Sequence, residues 1–306
     1  MEDYPRTLLE FEERFGTEGA CRDYLFSLRW PEGFQCPHCG YEKAWLRNRP
    51  LYECARCGFQ ASVTAGTIFQ DTKKPLRLWF RAIWHLTGQK YGANALGLQR
   101  ILDLGGYRTA WTWLHKLRRA MVRPGRDRLS GTVQVDEIYI GGEKPGKRGR
   151  GAAGKALVVI MVELKEGKIG RIRLRRVPDA SGPCLEGAIK EGVELGSTIQ
   201  TDGWEGYGRL SELGYIHEVI RKNAAIGKNV LPKVNLVVSL IKRWLLGTYQ
   251  GRVESSHLDY YLDEYTFRFN RRTSRSRGKL FYRLVEQAVA IGPVLAKDIH
   301  GETVTS

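Results

Sequence analysis

The 306-residue sequence contains no run of 18 consecutive apolar residues, which excludes an ordinary membrane-spanning helix. Its opening stretch, Met1 to Phe15, is acidic and lacks the apolar core of a secretory signal. A soluble, cytoplasmic chain is the expectation. Repeats at solenoid or propeller spacing are missing. No strongly amphipathic basic helix with an exposed apolar face is legible, which argues against a membrane surface as partner. Acid is scarce as well: 33 Asp and Glu stand against 49 Lys and Arg, a net charge of +16. A field of that sign favours a polyanion, and nucleic acid is the commonest one. The plain alternative is a basic, well-solvated surface. What remains is ordinary globular composition, 42% hydrophobic and 27% charged, with length for two or three domains.

Of the six cysteines, four form two close pairs, Cys36-Pro37-His38-Cys39 and Cys54-Ala55-Arg56-Cys57, with fourteen residues between the pairs. In a chain that is not exported, paired cysteines point to metal before disulfide. Two C-x2-C turns supply the four thiolates of a tetrahedral zinc site, and Gly40 and Gly58 suit the tight turns behind them. A redox dithiol would leave the second pair unexplained. His38 is expected at the surface or as a donor to a sulfur, because four cysteines already fill the site. So short and turn-rich a segment, placed over 31–70, draws much of its folding energy from structural Zn2+. Lys43, Trp45, Arg47, Arg49 and Arg56 around it suit a polyanion, and equally a solvated hairpin.

A helical entry is expected over 1–30, from Leu8, Leu9, Phe11, Phe15, Tyr24, Leu25 and Leu28. Three more helices fit 75–123. The first begins at Pro75 and ends at Thr87-Gly88. The second covers about Ala93 to Asp103. The third, about Arg108 to Val122, follows the turn Leu104-Gly105-Gly106. The third has an apolar side, Ala110, Trp113, Leu114, Leu117, Ala120 and Met121. Its other positions hold Arg108, Thr109, Thr112, His115, Lys116, Arg118 and Arg119. Two short helices, a glycine turn and a basic helix make a helix-turn-helix-like layout that reads DNA, and they also describe a plain helical bundle. His115 is expected at the surface or on a phosphate.

From 130 to 295 strands and helices alternate. Thr132 to Ile140, TVQVDEIYI, alternates as a strand, with Asp136 in its middle. Ala156 to Leu164 and Ile169 to Val177 extend it as an antiparallel meander. A helix fits Ser181 to Gly192, and a short strand ends at Asp202-Gly203, with helix expected over Trp204 to Leu213. A carboxylate inside a strand is costly unless it pairs or binds a cation. Two such acids on neighbouring central strands suit divalent cations between them and an in-line phosphoryl transfer. The structural alternative is that Asp136 caps a network and Asp202 opens a turn. Pro232 to Gly247 reads as a helix on which Asn235 and Lys242 share a face. Asn235 can offer a carbonyl oxygen to a metal and Lys242 a cation to phosphate, and both also make an ordinary polar face. The tail from Ala296 is expected to be loose. The fold class is thus α/β (α+β): a ribonuclease-H-like catalytic domain after a zinc ribbon and a helix-turn-helix-like segment.

Taken together, CPHCG…CARCG, VDEIYIGG, TDGWEGY, VNLVVSLIKRWLLGTYQG and HLDYYLDEYTFRFNRR resemble the bacterial insertion-sequence transposases of the ISXO-like group. The resemblance covers nearly the whole length. It implies a DDE-type enzyme on a ribonuclease-H-like fold, using Mg2+ or Mn2+ to nick a transposon end and join its 3′-hydroxyl to target DNA. Asp136 takes the first acid position and Asp202 the second. At the third, Asn235 stands where related groups carry glutamate, and Lys242 matches a lysine two turns later. A neutral amide cancels less metal charge than a carboxylate. Glu254, Asp259 and Asp263 are the nearby acids that could assist. Glu137 is turned away from Asp136 by strand alternation.

Phosphate contacts are expected from Lys144, Lys147, Arg148 and Arg150 in the glycine- and cation-rich stretch EKPGKRGRGAAGK, from Arg268, Arg271 and Arg272, and from Arg108, Lys116 and Arg119. The partners expected are double-stranded DNA, as terminal inverted repeats and target, and further copies of the chain on that DNA. The rival functions are a catalytically silent, transposase-derived DNA-binding protein and a stand-alone nuclease.

Overall fold

The computed structural model describes residues 2–47, 50–123, 125–141, 155–221, 230–250 and 253–300. Its contacts divide the chain into two compact units, Met1–Pro124 together with Ser274–Ser306, and Gly125–Thr273. No helix among the described residues is long and apolar enough to cross a membrane.

The first unit opens on α1 (Leu8–Arg14) and α2 (Glu18–Arg29). Each is begun by a threonine, Thr7 and Thr17, whose hydroxyl accepts the N–H three residues on at 3.1 Å. Three short antiparallel strands follow, β1 (Ala44–Leu46), β2 (Tyr52–Cys54) and β3 (Gln60–Ala61). Tyr52 packs its ring among Phe26, Trp30 and Phe34, which joins this small sheet to α2. The helices expected over 75–123 form as α3 (Leu76–Gly88), α4 (Ala95–Leu102) and α5 (Tyr107–Ala120). Pro75 cannot cap α3 with a side chain. Instead the Glu18 carboxylate, reaching across from α2, accepts the N–H groups of Leu76 (2.9 Å) and Arg77 (3.3 Å).

The second unit is a five-stranded sheet. β4 (Thr132–Ile140), β5 (Ala156–Lys165) and β6 (Lys168–Val177) form the expected meander. After α6 (Gly182–Gly192), β7 (Thr198–Thr201) pairs parallel with β4, and β8 (Ile216–Val219) parallel with β7. The spatial order is β6-β5-β4-β7-β8. α7 (Pro232–Tyr249) and α8 (Leu258–Asn270) complete the unit. Strand alternation sorts the core onto two faces. Val133, Val135, Val159 and Met161 meet Leu185 and Ile189 of α6. Val158, Ile160 and Val162 meet Val234, Val237 and Ile241 of α7 and Leu262 and Tyr265 of α8. This mixed α/β layout, with three antiparallel strands and two parallel additions, is ribonuclease-H-like.

Three details depart from the sequence reading. β8 is short and mostly exposed, so its residues carry no apolar pattern. Trp204 to Leu213 is not a continuous helix: a 3₁₀ turn spans Glu205–Tyr207 and turns follow, in a stretch where Gly206 and Gly208 lower helix propensity. The start of the expected loose tail is ordered, because α9 (Arg277–Ala290) is followed by α10 (Ala296–His300), whose Ile299 is buried, and residues 301–306 lie outside the described residues. α9 belongs to the first unit, where its Phe281 packs among Phe11, Phe15, Tyr24, Phe80 and Trp84.

One buried ion pair braces the sheet edge. Glu163, 1% exposed, lies where the β5–β6 register slips. Its carboxylate accepts Arg171 Nη2 (2.6 Å) and the backbone N–H groups of Arg171 (3.2 Å) and Ser130 (3.3 Å). Burial opposes the charge, but the Arg171 guanidinium and the backbone donors outweigh it and hold the carboxyl down at about 2. Glu163→Ala is expected to cost roughly 3–5 kcal/mol, because it strands the partly buried guanidinium. The folded-state value lies below the ordinary one, so the stabilisation is present above pH about 4.5 and is lost as pH falls toward about 2. Denaturant melts at neutral and acid pH test this. A variant as stable as the parent at pH 7 would remove the role.

Candidate active site and metal centre

In the small sheet, two similar knuckles present the four cysteines. Cys36 N–H donates to the Tyr41 carbonyl and Cys54 N–H to the Phe59 carbonyl, both at 2.9 Å. Gly40 and Gly58 close each turn onto the carbonyls of Cys36 and Cys54, at φ of +72° and +69°, a conformation that favours glycine. All four sulfurs lie within 4.8 Å of one another, with Cys36–Cys57 at 3.7 Å and Cys39–Cys54 at 3.6 Å. A tetrahedron with metal–sulfur bonds of about 2.3 Å has edges of about 3.8 Å, so the cage fits a zinc-sized ion. His38 is exposed and stacked on Phe59 (5.7 Å between centroids) rather than set among the sulfurs. Arg56 lies over the Tyr41 ring.

In the second unit, the paired residues of β4 and β7 are Thr132 with Thr198, Val133 with Ile199 and Gln134 with Gln200. Asp136 lies two residues past the last paired position of β4 and Asp202 just past the end of β7, close enough for the Asp202 charge to act on the Asp136 carboxyl. Asp136 is partly buried, and Asp202 is exposed at the strand end. Burial, the Glu137 charge and the Asp202 charge push the Asp136 carboxyl up to about 7, against a hydrogen bond from Glu137 N–H (2.8 Å). Two acids that repel each other are a donor set suited to divalent cations. Asp202 Oδ1 accepts Trp204 N–H at 3.1 Å, and Gly203 makes the exit turn at φ +87°, where an added Cβ would lie 2.6 Å from Val219. Glu137 faces the other side of the sheet, as alternation requires, and accepts the buried Tyr207 hydroxyl at 2.7 Å. That bond ties VDE to TDGWEGY.

Asn235 sits half-buried in the first turn of α7, and Lys242 is exposed two turns later, flanking the same side of the buried Val234–Val237–Ile241 stripe. The other nearby acids lie elsewhere. Asp259 pairs with Arg176 of β6 at 2.9 Å, and Glu254 lies 3.6 Å from His257, beside Ser255, whose carbonyl accepts Arg176. β6 stands two strands from β4, so these groups do not approach Asp136. Asp263 acts on Arg126, which also feels Arg175 of β6.

Several expected DNA contacts are placed differently. The stretch holding Lys144, Lys147, Arg148 and Arg150 lies outside the described residues. Arg268 is engaged by the fully buried Glu264 at 2.8 Å. Arg271 bonds the Phe267 carbonyl and covers its ring, and Arg272 bonds the carbonyls of Ile169, Gly170 and Phe269. Each of the three thus has a partner within the second unit. On α5, His115 and Arg118 are buried rather than solvated. His115 Nδ1 lies 2.9 Å from the Trp111 carbonyl and 3.4 Å from Arg118. α5 also packs on α3, through a Trp79–Trp113 stack of 3.8 Å, and against α9 and α10, so little of its circumference meets water. Arg108 and Arg119 are exposed, and burial lowers the pKa of the half-buried Lys116.

Residues 128–270 match the ISXO2-like transposase domain, and residues 16–60 the transposase zinc-ribbon domain of the same IS1595 group. A protein of Halobacterium salinarum, described as an uncharacterized protein in transposable element ISH50, is 26% identical over 288 residues, covering 87% of this chain and 94% of that one. A simian T-cell lymphotropic virus intasome, solved with PP2A regulatory subunit B56 gamma, is 13% identical over 65% of this chain and 72% of that one. At a TM-score of 0.31 that superposition is too loose to bear on the site. With zinc-ribbon and catalytic-domain matches in the expected order, the chain belongs to the IS1595-type, ISXO2-like family of insertion-sequence transposases.

Proposed function

We propose that the chain binds the terminal inverted repeats of its element as double-stranded DNA and catalyses strand cleavage and strand transfer, through Asp136, Asp202, Asn235 and Lys242. The approach of Asp136 and Asp202 beyond the β4–β7 pairing, where one carboxylate feels the charge of the other, carries this reading. Mg2+ or Mn2+, held by the two aspartates and the Asn235 amide oxygen, would supply an activated water and neutralise charge on the attacking and leaving oxygens. Asp136 and Asp202 would be the charged ligands of those ions. Lys242 offers a point charge to a phosphate beside them. Cys36, Cys39, Cys54 and Cys57 hold Zn2+, which keeps the ribbon folded.

The ribbon over 31–70 and the helix-turn-helix-like segment over 75–123 are read as the DNA-binding part, ahead of the catalytic domain that starts near 130. Arg108, Lys116 and Arg119 of α5 contact phosphate, joined by the cations at 144, 147, 148 and 150. Cutting two ends in concert calls for two or more copies on DNA, in the cytoplasm where the nucleoid lies.

Incubating the full chain with Mg2+ and a duplex carrying the element's inverted repeat tests the reading. Nicked and joined products are expected. Nicking without joined product identifies a nuclease, and binding without nicking identifies a silent DNA-binding derivative.

A further inference from the structure

α7 has a defect at its start. Its N-cap is Leu231 and its first residue Pro232, so no local side chain satisfies the next N–H groups. Gln134 does so from the sheet: its Oε1 accepts Lys233 N–H at 3.2 Å and Val234 N–H at 3.4 Å. Gln134 is 6% exposed, which would be costly for an amide without partners. Its Nε2 donates to Gln200 Oε1 at 3.2 Å, and Gln200 Nε2 donates to Glu218 Oε2 at 3.0 Å. A single file of hydrogen bonds therefore runs from α7 through β4 and β7 to β8.

The two ends fix its direction. Backbone N–H can only donate and a carboxylate can only accept, so both glutamine amides are held in one orientation. Aligned bonds of this kind reinforce one another between the positive helix terminus and the negative Glu218. Gln134 lies two residues before Asp136 on the same face of β4, and Gln200 two residues before Asp202, which follows the end of β7. Asn235 follows Val234 directly. The file thus touches every element that carries or leads into one of the three candidate ligands.

We propose that Gln134, with Gln200, is a positioning residue that sets the first turn of α7 against β4 and β7, so that Asn235 stands in register with Asp136 and Asp202. The proposal rests on the reading of those three residues as metal ligands. Neither glutamine touches substrate.

The test uses the full, zinc-loaded chain and Mn2+ as probe. Gln134→Leu keeps the volume and removes both hydrogen-bonding ends. Amide exchange at 233 and 234 is expected to speed up at least tenfold. The Mn2+ concentration for half-maximal cleavage is expected to rise about tenfold, as for other groups that orient metal ligands. The cleavage rate at saturating Mn2+ and the affinity for DNA should change less than threefold. Gln134→Glu retains the acceptor for α7 and should recover most of the amide protection. Unchanged exchange and unchanged Mn2+ dependence in Gln134→Leu would overturn the proposal. If that variant does not fold, failure of Gln134→Glu to hold the 233 and 234 amides overturns it instead. Asp136→Ala run in parallel separates the two levels. If Asp136→Ala cleaves normally, the ligand reading falls and the proposal with it. If Asp136→Ala is dead while Gln134→Leu behaves as the parent, only the positioning role falls.

Discussion

Replacing Asp136 or Asp202 with alanine is expected to slow strand cleavage and joining by on the order of 10³-fold or more, about 4 kcal/mol of barrier, while the affinity for an inverted-repeat duplex stays unchanged. The size follows from position. Asp136 lies midway along β4 and Asp202 just past the end of β7, two neighbouring central strands, whereas Asp259 is paired with Arg176 of β6, two strands from β4. A pH signature goes with it. Without a cation the Asp136 carboxyl is pushed up to about 7, so below that value a proton competes for the same oxygens. Apparent Mn2+ affinity should then fall toward roughly tenfold per pH unit as pH drops. The sign for stability is opposite to that of Glu163. A carboxyl raised in the folded state makes the metal-free chain less stable as pH climbs from about 4 through about 7, and added Mn2+ should restore most at the alkaline end. Cleavage gels and thermal melts with and without Mn2+ measure both effects. Cutting at the parental rate by either alanine variant would sink the assignment.

Removing the ribbon metal is expected to have the other large effect. The three strands contribute only eight residues in regular pairing, and Trp45 and Leu46 are more than half exposed, so burial cannot hold this sheet alone. A four-thiolate zinc site is worth roughly 10 kcal/mol or more of apparent folding free energy at neutral pH. Cys39→Ser, or prolonged chelation, should unfold residues 31–70 and expose them to protease, while the sheet of the second unit keeps its amide protection. Binding to the inverted repeat should weaken by about tenfold or more if the ribbon contributes to end recognition. Elemental analysis should find one zinc per chain. A chelated chain whose ribbon amides remain protected would show that packing among Phe26, Trp30, Phe34 and Tyr52 suffices.

Several features were legible because their physics is local. The cysteine knuckles read directly, since spacing and a trailing glycine define a four-sulfur cage without any distant contact. The meander of β4, β5 and β6 read from β-branched alternation, and α3, α4 and α5 from their apolar stripes. Asp136 stood out because carboxylates set in a strand between Val135 and Ile138 need partners. The reading failed where the answer lay with a distant neighbour. The outer face of α5 is polar in sequence, yet His115 and Arg118 are buried in the packed helices. The partners of Arg268, Arg271 and Arg272, which are Glu264 and four backbone carbonyls, were likewise not legible from the run itself.

The sequence by itself thus determined the four-cysteine cluster and the helices and central strands, each through spacing or periodicity within about twenty residues, and singled out Asp136 and Asp202 as candidates. Tertiary structure alone decided which groups share a face and a level. It paired β4 with β7 across more than sixty residues, which brings Asp136 within reach of the Asp202 charge, sent α9 back to the N-terminal aromatics, and gave α7 its missing cap from Gln134. Those contacts depend on strand order and packing, which no local run of residues encodes.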